Sequence, residues 1–427
     1  MQNLLTNLSD KLAGKEPVST GRTKPLTSET EKMMAIVFNG SAGNIKYQAT
    51  PKVMISEPHD ALIRMTATSV CGLDTSAFAG YHPGFKTGDI LGHELVGVVE
   101  QTGPNVRIPV GTRVAVAAIY ACGQCRMCQA DKYQACETTN SSALLKEIYG
   151  QKGAALPGYG HLTGEYPGTL AEFVRVPFAD VNCLPLPDSV SDEKAIYLSD
   201  NVPIAYHACR RVKQGDVVGI WGLGPVGFLT ARWCRILGAS RVIAISGTTD
   251  RLDIARDSLG IEVIDYHQEK DVVAKLAEMV PDGLDVAIDC TGARYAKSLS
   301  HKVQQALYIE SDTPETLTEC SKSLKYCGNV TIVGTYGGTA NGFPIGQFYI
   351  KHLSMDAGFA PVQKLWQDCL KAMVDGTLDP SFCTTHHMRL SQASRAMEMM
   401  EKSEDNFIKC ILRPDYRDES EQPYSKI

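Results

Sequence analysis

The sequence predicts an α/β protein of two domains, a β-rich one followed by a doubly wound parallel sheet. From Met34 to Val181, short apolar runs such as Ala61-Leu-Ile-Arg-Met-Thr-Ala, Leu95-Val-Gly-Val-Val and Arg113-Val-Ala-Val-Ala are separated by Gly, Pro and Asp. That is the pattern of strands joined by turns. From Val217 the pattern changes to strand–helix alternation, whose spacing fits parallel βαβ units.

In order, Val217–Trp221 reads as a strand and Val226–Leu237 as a helix. Arg241–Ile245 is a strand and Arg251–Leu259 a helix; Glu262–Asp265 is a strand and Val272–Met279 a helix. Leu284–Asp289 and Asn329–Gly334 read as later strands. Past Gly358 the chain reads as helices ending in Ile408-Lys-Cys-Ile-Leu and is expected to return to the first domain. The polar stretch Ala13–Thr30 is expected outside the fold. The expected organisation is therefore an extension over 1–32, a first domain over 33–203 and 358–414, a second over 204–357, and a flexible tail over 415–427.

A chain of 427 residues can bury substantial cores. Its 44% hydrophobic and 21% charged content is ordinary for a soluble globular protein. The net charge of −6, with no basic block, argues against nucleic acid and anionic membrane as partners. No apolar run approaches the ~20 residues that cross a bilayer, and the N-terminus lacks the apolar core of a secretory signal. The expected location is cytoplasmic. The final Ser425-Lys426-Ile427 is similar to the Ser-Lys-Leu address, so the peroxisome is the alternative. Of fourteen cysteines, the nine outside the candidate metal sets, for example Cys209, Cys234 and Cys290 inside apolar runs, read as buried small hydrophobes in a reducing compartment.

Four cysteines stand apart. Cys122, Cys125, Cys128 and Cys136 follow the spacing C-x2-C-x2-C-x7-C. Four thiolates can close a tetrahedron around zinc with no open position, which shapes a loop and does no chemistry. An iron–sulfur cluster uses similar spacing and remains an alternative on these residues alone. Disulfides would need an oxidising compartment.

Strand Val217–Trp221 runs into Gly222-Leu-Gly224-Pro225-Val226-Gly227 and then a helix. This is the context that gives a G-x-G-x-x-G motif meaning. Gly222 permits the tight turn, Gly224 lets the backbone approach a pyrophosphate, and Gly227 lets helix and strand pack closely. The helix N-terminus offers N–H groups to the phosphates. An NAD site usually places Asp or Glu at the end of the second strand, to bind the ribose 2′-OH. Here that residue is Ser246. The missing carboxylate admits the 2′-phosphate of NADP, with Ser246, Thr248, Thr249 and Arg251 as donors. NADP is favoured over NAD.

Two further segments are Ser69-Val-Cys71-Gly-Leu-Asp74 and Gly92-His93-Glu94. Together with the four-cysteine loop, Ala171-Glu-Phe-Val-Arg-Val-Pro and the glycine-rich turn, they make the chain resemble the zinc-dependent medium-chain alcohol dehydrogenases from Met34 to Pro414. Gly158-Tyr-Gly-His-Leu-Thr-Gly, Val176-Pro-Phe-Ala-Asp-Val-Asn, Leu198-Ser-Asp200 and Gln305-Ala-Leu-Tyr-Ile-Glu-Ser-Asp are similar to the formaldehyde-dehydrogenase-like branch.

The resemblance implies a GroES-like catalytic domain, a Rossmann cofactor domain and two zinc ions per chain. It places Cys71, His93 and Asp200 as catalytic zinc ligands, with Glu94 beside them orienting or tuning the site. Asp200 could instead cap the helix that follows it. Val333, Gly334 and Thr335 are implied on the cofactor, and a homodimer or homotetramer is implied. The reaction implied is hydride transfer between NAD(P) and a zinc-bound alcohol or aldehyde. Where the family usually carries the Ser or Thr that relays the substrate proton stands Leu73, and Ser76 stands where many members have His. Thr75, Ser76 or a water is then needed as a substitute. The runner-up is an NADPH-dependent enone reductase or a specialised biosynthetic dehydrogenase on the same fold. A non-catalytic nucleotide-binding protein is a third reading.

Overall fold

The computed structural model describes residues 26–79, 84–291 and 312–415. The expected tail from 416, most of the extension and most of the Gln305–Asp312 stretch lie outside the described residues. The chain divides into two compact units. One holds the described residues up to Asp200 with Pro361–Val374 and the chain from Asp379; the other holds Asn201–Ala360 and Asp375–Leu378.

The first unit is built on a seven-stranded sheet. Its strands run in the order Thr384–Arg389, Lys409–Arg413, Ala61–Val70, Leu95–Thr102, Arg113–Val116 and Cys183–Pro185, with Phe173–Val176 also pairing Ala61–Val70. Val and Ile alternate with small residues along these strands, and the inward set, including Ile63, Met65, Leu95, Val114 and Val174, forms the core. Arg175 and Asp60 form an ion pair inside it at 2.6 Å. The Asp60 carboxylate also accepts from the Ser56 and Glu57 amides, so the buried charge is satisfied.

A separate antiparallel hairpin joins Leu26–Phe38 to Ile45–Met54. It corrects the expected extension: Leu26, Thr27 and Lys32 pair with Met54, Val53 and Pro51 despite their polar surroundings, and in the irregular stretch between them the Ser28 hydroxyl accepts from the Thr30 and Glu31 amides. A second correction concerns the chain past Gly358. It is not all helix: Thr384–Arg389 and Lys409–Arg413 are strands flanking the helix Ala393–Lys402. Nor are all cysteines outside the four-cysteine loop and Cys71 buried, since Cys327 is exposed at a positive φ of 62°.

The second unit is a six-stranded sheet, parallel throughout. Its order is Glu262–Asp265, Arg241–Ser246, Val217–Trp221, Leu284–Asp289, Leu324–Ile332, Ser354–Ala357. In chain order this is 3-2-1-4-5-6, and the order reverses between the first and fourth strands, where a doubly wound sheet binds its ligand. Trp221, Ile243, Ile264, Ala287 and Val330 fill its core. Among the described residues no helix is long and apolar enough to cross a membrane.

Candidate metal centre and dinucleotide turn

Strand register brings the first cluster together. Thr68 pairs with Leu95 in antiparallel register, so Cys71 and His93 leave their strands at the same end. Cys410 pairs with Val70, which carries Lys409 opposite Cys71. Ser199 is pinned to the same strand, donating to the Leu95 carbonyl at 3.1 Å and accepting from its amide at 3.2 Å. Asp200 follows directly, and the helix Asn201–Ala208 begins after it.

The result is a mixed sulfur, nitrogen and oxygen cluster. One ligand atom each from Cys71, His93, Glu94 and Asp200 lie within 4.8 Å of one another. His93 is 1% exposed. Its Nδ1 lies 3.3 Å from Asp74 Oδ1, while Asp74 Oδ2 accepts from the Cys71 amide at 2.8 Å. Nε2 therefore faces Asp200, at 3.8 Å, and Glu94, and it has no hydrogen-bond partner. A buried Nε2 without a partner, aimed at a thiol and a carboxylate, fits a zinc ion with an open fourth position.

Glu94 differs from the other three. Lys409 Nζ contacts its two oxygens at 2.7 and 2.5 Å, and both residues are fully buried. Burial pulls the Lys409 ammonium down, but the Glu94 carboxylate outweighs it and holds the amine above its ordinary value. Sequence reasoning missed Lys409. The signal was a charged residue inside the apolar run Ile408-Lys-Cys-Ile-Leu, since buried lysines are almost always paired.

Of the relay candidates, the described side chains are Leu73 and Thr75. Gly72–Phe78 is a short helix, Leu73 carries no hydroxyl, and Thr75 donates its hydroxyl to the Gly72 carbonyl at 2.8 Å. The Ser76 side chain lies outside the described residues.

In the four-cysteine loop, sulfur–sulfur separations are 3.5 Å (Cys125–Cys128), 3.9 Å (Cys125–Cys136) and 4.0 Å (Cys122–Cys128). A zinc tetrahedron with 2.3 Å bonds has edges of about 3.8 Å. Disulfide sulfurs would lie about 2 Å apart, and separations this short leave room for one ion, not a multi-iron core. Backbone amides of Gln124 and Cys125 donate to Cys122 Sγ at 3.4 and 3.3 Å, stabilising thiolate.

In the second unit, Gly222 has φ +94°, and a Cβ at Gly227 would stand 2.0 Å from the Gly222 carbonyl. Gly224 precedes the helix Pro225–Ile236, and nothing lies within 4 Å of where its Cβ would be. Pro225 at the first helical position has no N–H, so the N–H groups approachable from the turn are those of Val226 and Gly227. Ser246 ends the second strand, and Arg251 lies on the next helix, Thr249–Asp257. Val333 and Gly334 amides donate to the Asp289 carbonyl at 3.0 and 2.9 Å, and Thr335 follows them.

Residues 57–188 match the family described as the alcohol dehydrogenase GroES-like domain, and residues 225–306 match that described as zinc-binding dehydrogenase. A zinc-type alcohol dehydrogenase-like protein of Schizosaccharomyces pombe is 39% identical over 414 residues, covering 96% of this chain and 98% of its own. An uncharacterised zinc-type alcohol dehydrogenase-like protein of Bacillus subtilis is 30% identical over 387 residues, covering 90% and 100%. Among solved structures, an alcohol dehydrogenase from Thermus sp. ATN1 is similar with a TM-score of 0.76 at 28% identity, covering 90% of this chain and 100% of that one.

Cys125→Ser is expected to lower the zinc content by one ion per chain and the melting temperature by several degrees, as metal analysis and calorimetry would show; unchanged zinc and stability would refute a structural role. His161 supplies a pH test. It is 4% exposed, with Nδ1 2.7 Å from Glu165 Oε1 and Nε2 3.5 Å from Asp89 Oδ1. Burial lowers its pKa, but the two carboxylates outweigh this and push it up to about 9. The stabilisation is therefore complete below pH 6.5 and lost as pH rises through about 9. His161→Gln should cost about 2 kcal/mol at pH 6, with the gap to wild type closing by pH 10 in urea titrations.

Proposed function

The chain belongs to the zinc-dependent medium-chain alcohol dehydrogenase family of oxidoreductases, and on that premise we propose that it interconverts a small alcohol and its aldehyde with NADP, within the formaldehyde-dehydrogenase-like branch. The observation that carries this reading is the convergence of Cys71, His93 and Asp200 around a partnerless buried Nε2. Held by these three residues, zinc would supply a Lewis acid for the substrate oxygen, and the nicotinamide would give or take the hydride.

The chain's own groups prepare that chemistry. The thiolate and carboxylate of Cys71 and Asp200 offset a divalent charge. Asp74 fixes the His93 ring, so that Nε2 and not Nδ1 faces the cluster. Lys409 engages both Glu94 oxygens and reserves that carboxylate for a neighbouring role. In the second unit the Gly222–Gly227 turn and the helix behind it receive a pyrophosphate. Cys122, Cys125, Cys128 and Cys136 hold the second, structural zinc.

NADP is supported by Ser246. The nearest carboxylate in the sheet, Asp265, pairs with Ser246 in register, but its oxygens accept from the His267 amide and the Gln268 amide side chain. The engaged Thr75 hydroxyl and Leu73 favour a second reading, an enone reductase, in which the relay is not needed for an alkoxide.

A homodimer is supported by the second unit's sheet edge. Ser354–Ala357 ends the sheet, and Ile345, Tyr349 and Ile350 beside it are 69%, 82% and 62% exposed, an apolar patch of the kind that marks protein interfaces.

A substrate screen in both directions with NADPH and NADH tests the reading. Aldehyde turnover that prefers NADPH and falls at least 100-fold in Cys71→Ser, with the four-cysteine zinc retained, is the expected result. Full activity in that variant sinks the alcohol reading, enones as the sole substrates establish the second, and an NADH preference overturns the cofactor assignment. Tyr349→Glu combined with Ile350→Asp should convert the dimer to monomer by light scattering; an unchanged mass would remove this edge as the interface.

A further inference from the structure

The loop Gly158-Tyr159-Gly160-His161 is built to hold one side chain in place. A Cβ on Gly158 would stand 2.1 Å from the Gly92 carbonyl oxygen, so the loop backbone lies directly on the residue preceding His93. A Cβ on Gly160 would stand 2.6 Å from the Gly84 carbonyl oxygen. Both glycines also have positive φ, 72° and 69°, which other residues adopt rarely. The Gly158 amide donates to the Tyr166 carbonyl at 3.0 Å, and the His161 amide donates to the Gly84 carbonyl at 2.9 Å. His161 is then tied at both ring nitrogens, to Glu165 and Asp89.

Between these anchors the backbone that carries Tyr159 is held on both sides. Its ring packs against His93 in a T-shaped contact with centroids 5.6 Å apart, and it is 5% exposed. A rigid aromatic side chain buried next to the ligand atoms takes up volume that a substituent on the reacting carbon would otherwise occupy.

Resting on the oxidoreductase reading, we infer that Tyr159 is a specificity-determining residue: its ring closes the His93 side of the centre and restricts it to substrates with a small, unbranched substituent on the reacting carbon.

The test separates this inference from the reading it rests on. Cobalt(II) replaces zinc in the wild type and in Tyr159→Phe, Tyr159→Leu and Tyr159→Ala, and the visible spectrum is titrated with primary amides from acetamide to pivalamide. These are carbonyl ligands that accept no hydride. The expected result is that Tyr159→Ala and Tyr159→Leu bind pivalamide at least tenfold tighter relative to acetamide than the wild type does, while Tyr159→Phe keeps the wild-type ranking. An unchanged ranking in both truncated variants overturns the inference. So does loss of the cobalt band on truncation, which would make Tyr159 a support for His93 and not a gate. Turnover assays run in parallel decide the oxidoreductase reading: a wild type that binds amides by size but reduces no aldehyde refutes that reading and leaves the gate standing.

Discussion

Compensation of buried negative charge is the constraint on which the first unit depends. Cys71, Asp74, Glu94 and Asp200 sit in a region where Asp74, His93 and Glu94 are at most 1% exposed. Charges taken out of water are costly unless each has a partner. Lys409 meets one of the four acidic groups, and His93 bridges Asp74 to the rest. The Cys71 sulfur and the Asp200 carboxyl converge on an imidazole nitrogen with no partner of its own. A divalent cation held there, as proposed, would complete this set and link metal binding to the folding of this region.

That arrangement depends in turn on strand register. Slipping one residue in an antiparallel pair would send the opposite set of side chains inward. The Val70–Cys410 and Thr68–Leu95 pairings therefore place Lys409 and His93 where they are needed. The glycines around the site serve the same end. Gly92 and Gly158 allow two backbones to approach so closely that the loop carrying Tyr159 lies directly against the His93 segment.

Local chemistry was legible wherever neighbours in sequence act together. The four cysteines and the glycine-rich turn are compact motifs: the four sulfurs lie within 4.8 Å of one another, and Gly222 makes the turn at a positive φ. The alternation that predicted the parallel sheet also held, because helix and strand periods differ. Illegible were the polar start of the Leu26–Phe38 strand, stabilised by its hairpin partner, and the two late strands, whose pairing partners lie more than 300 residues away in the case of Lys409–Arg413.

The sequence by itself determined the spacing of the four cysteines, the glycine-rich turn and the family to which the chain belongs, since those depend on residue type and short spacing. Only tertiary structure decided that Lys409 neutralises Glu94, that Asp74 orients His93, that Thr75 spends its hydroxyl on Gly72, and that Tyr159 faces the cluster. Each of these joins residues through a cross-strand register, a helical turn or a close loop contact, and such distances are fixed by packing rather than by spacing along the chain.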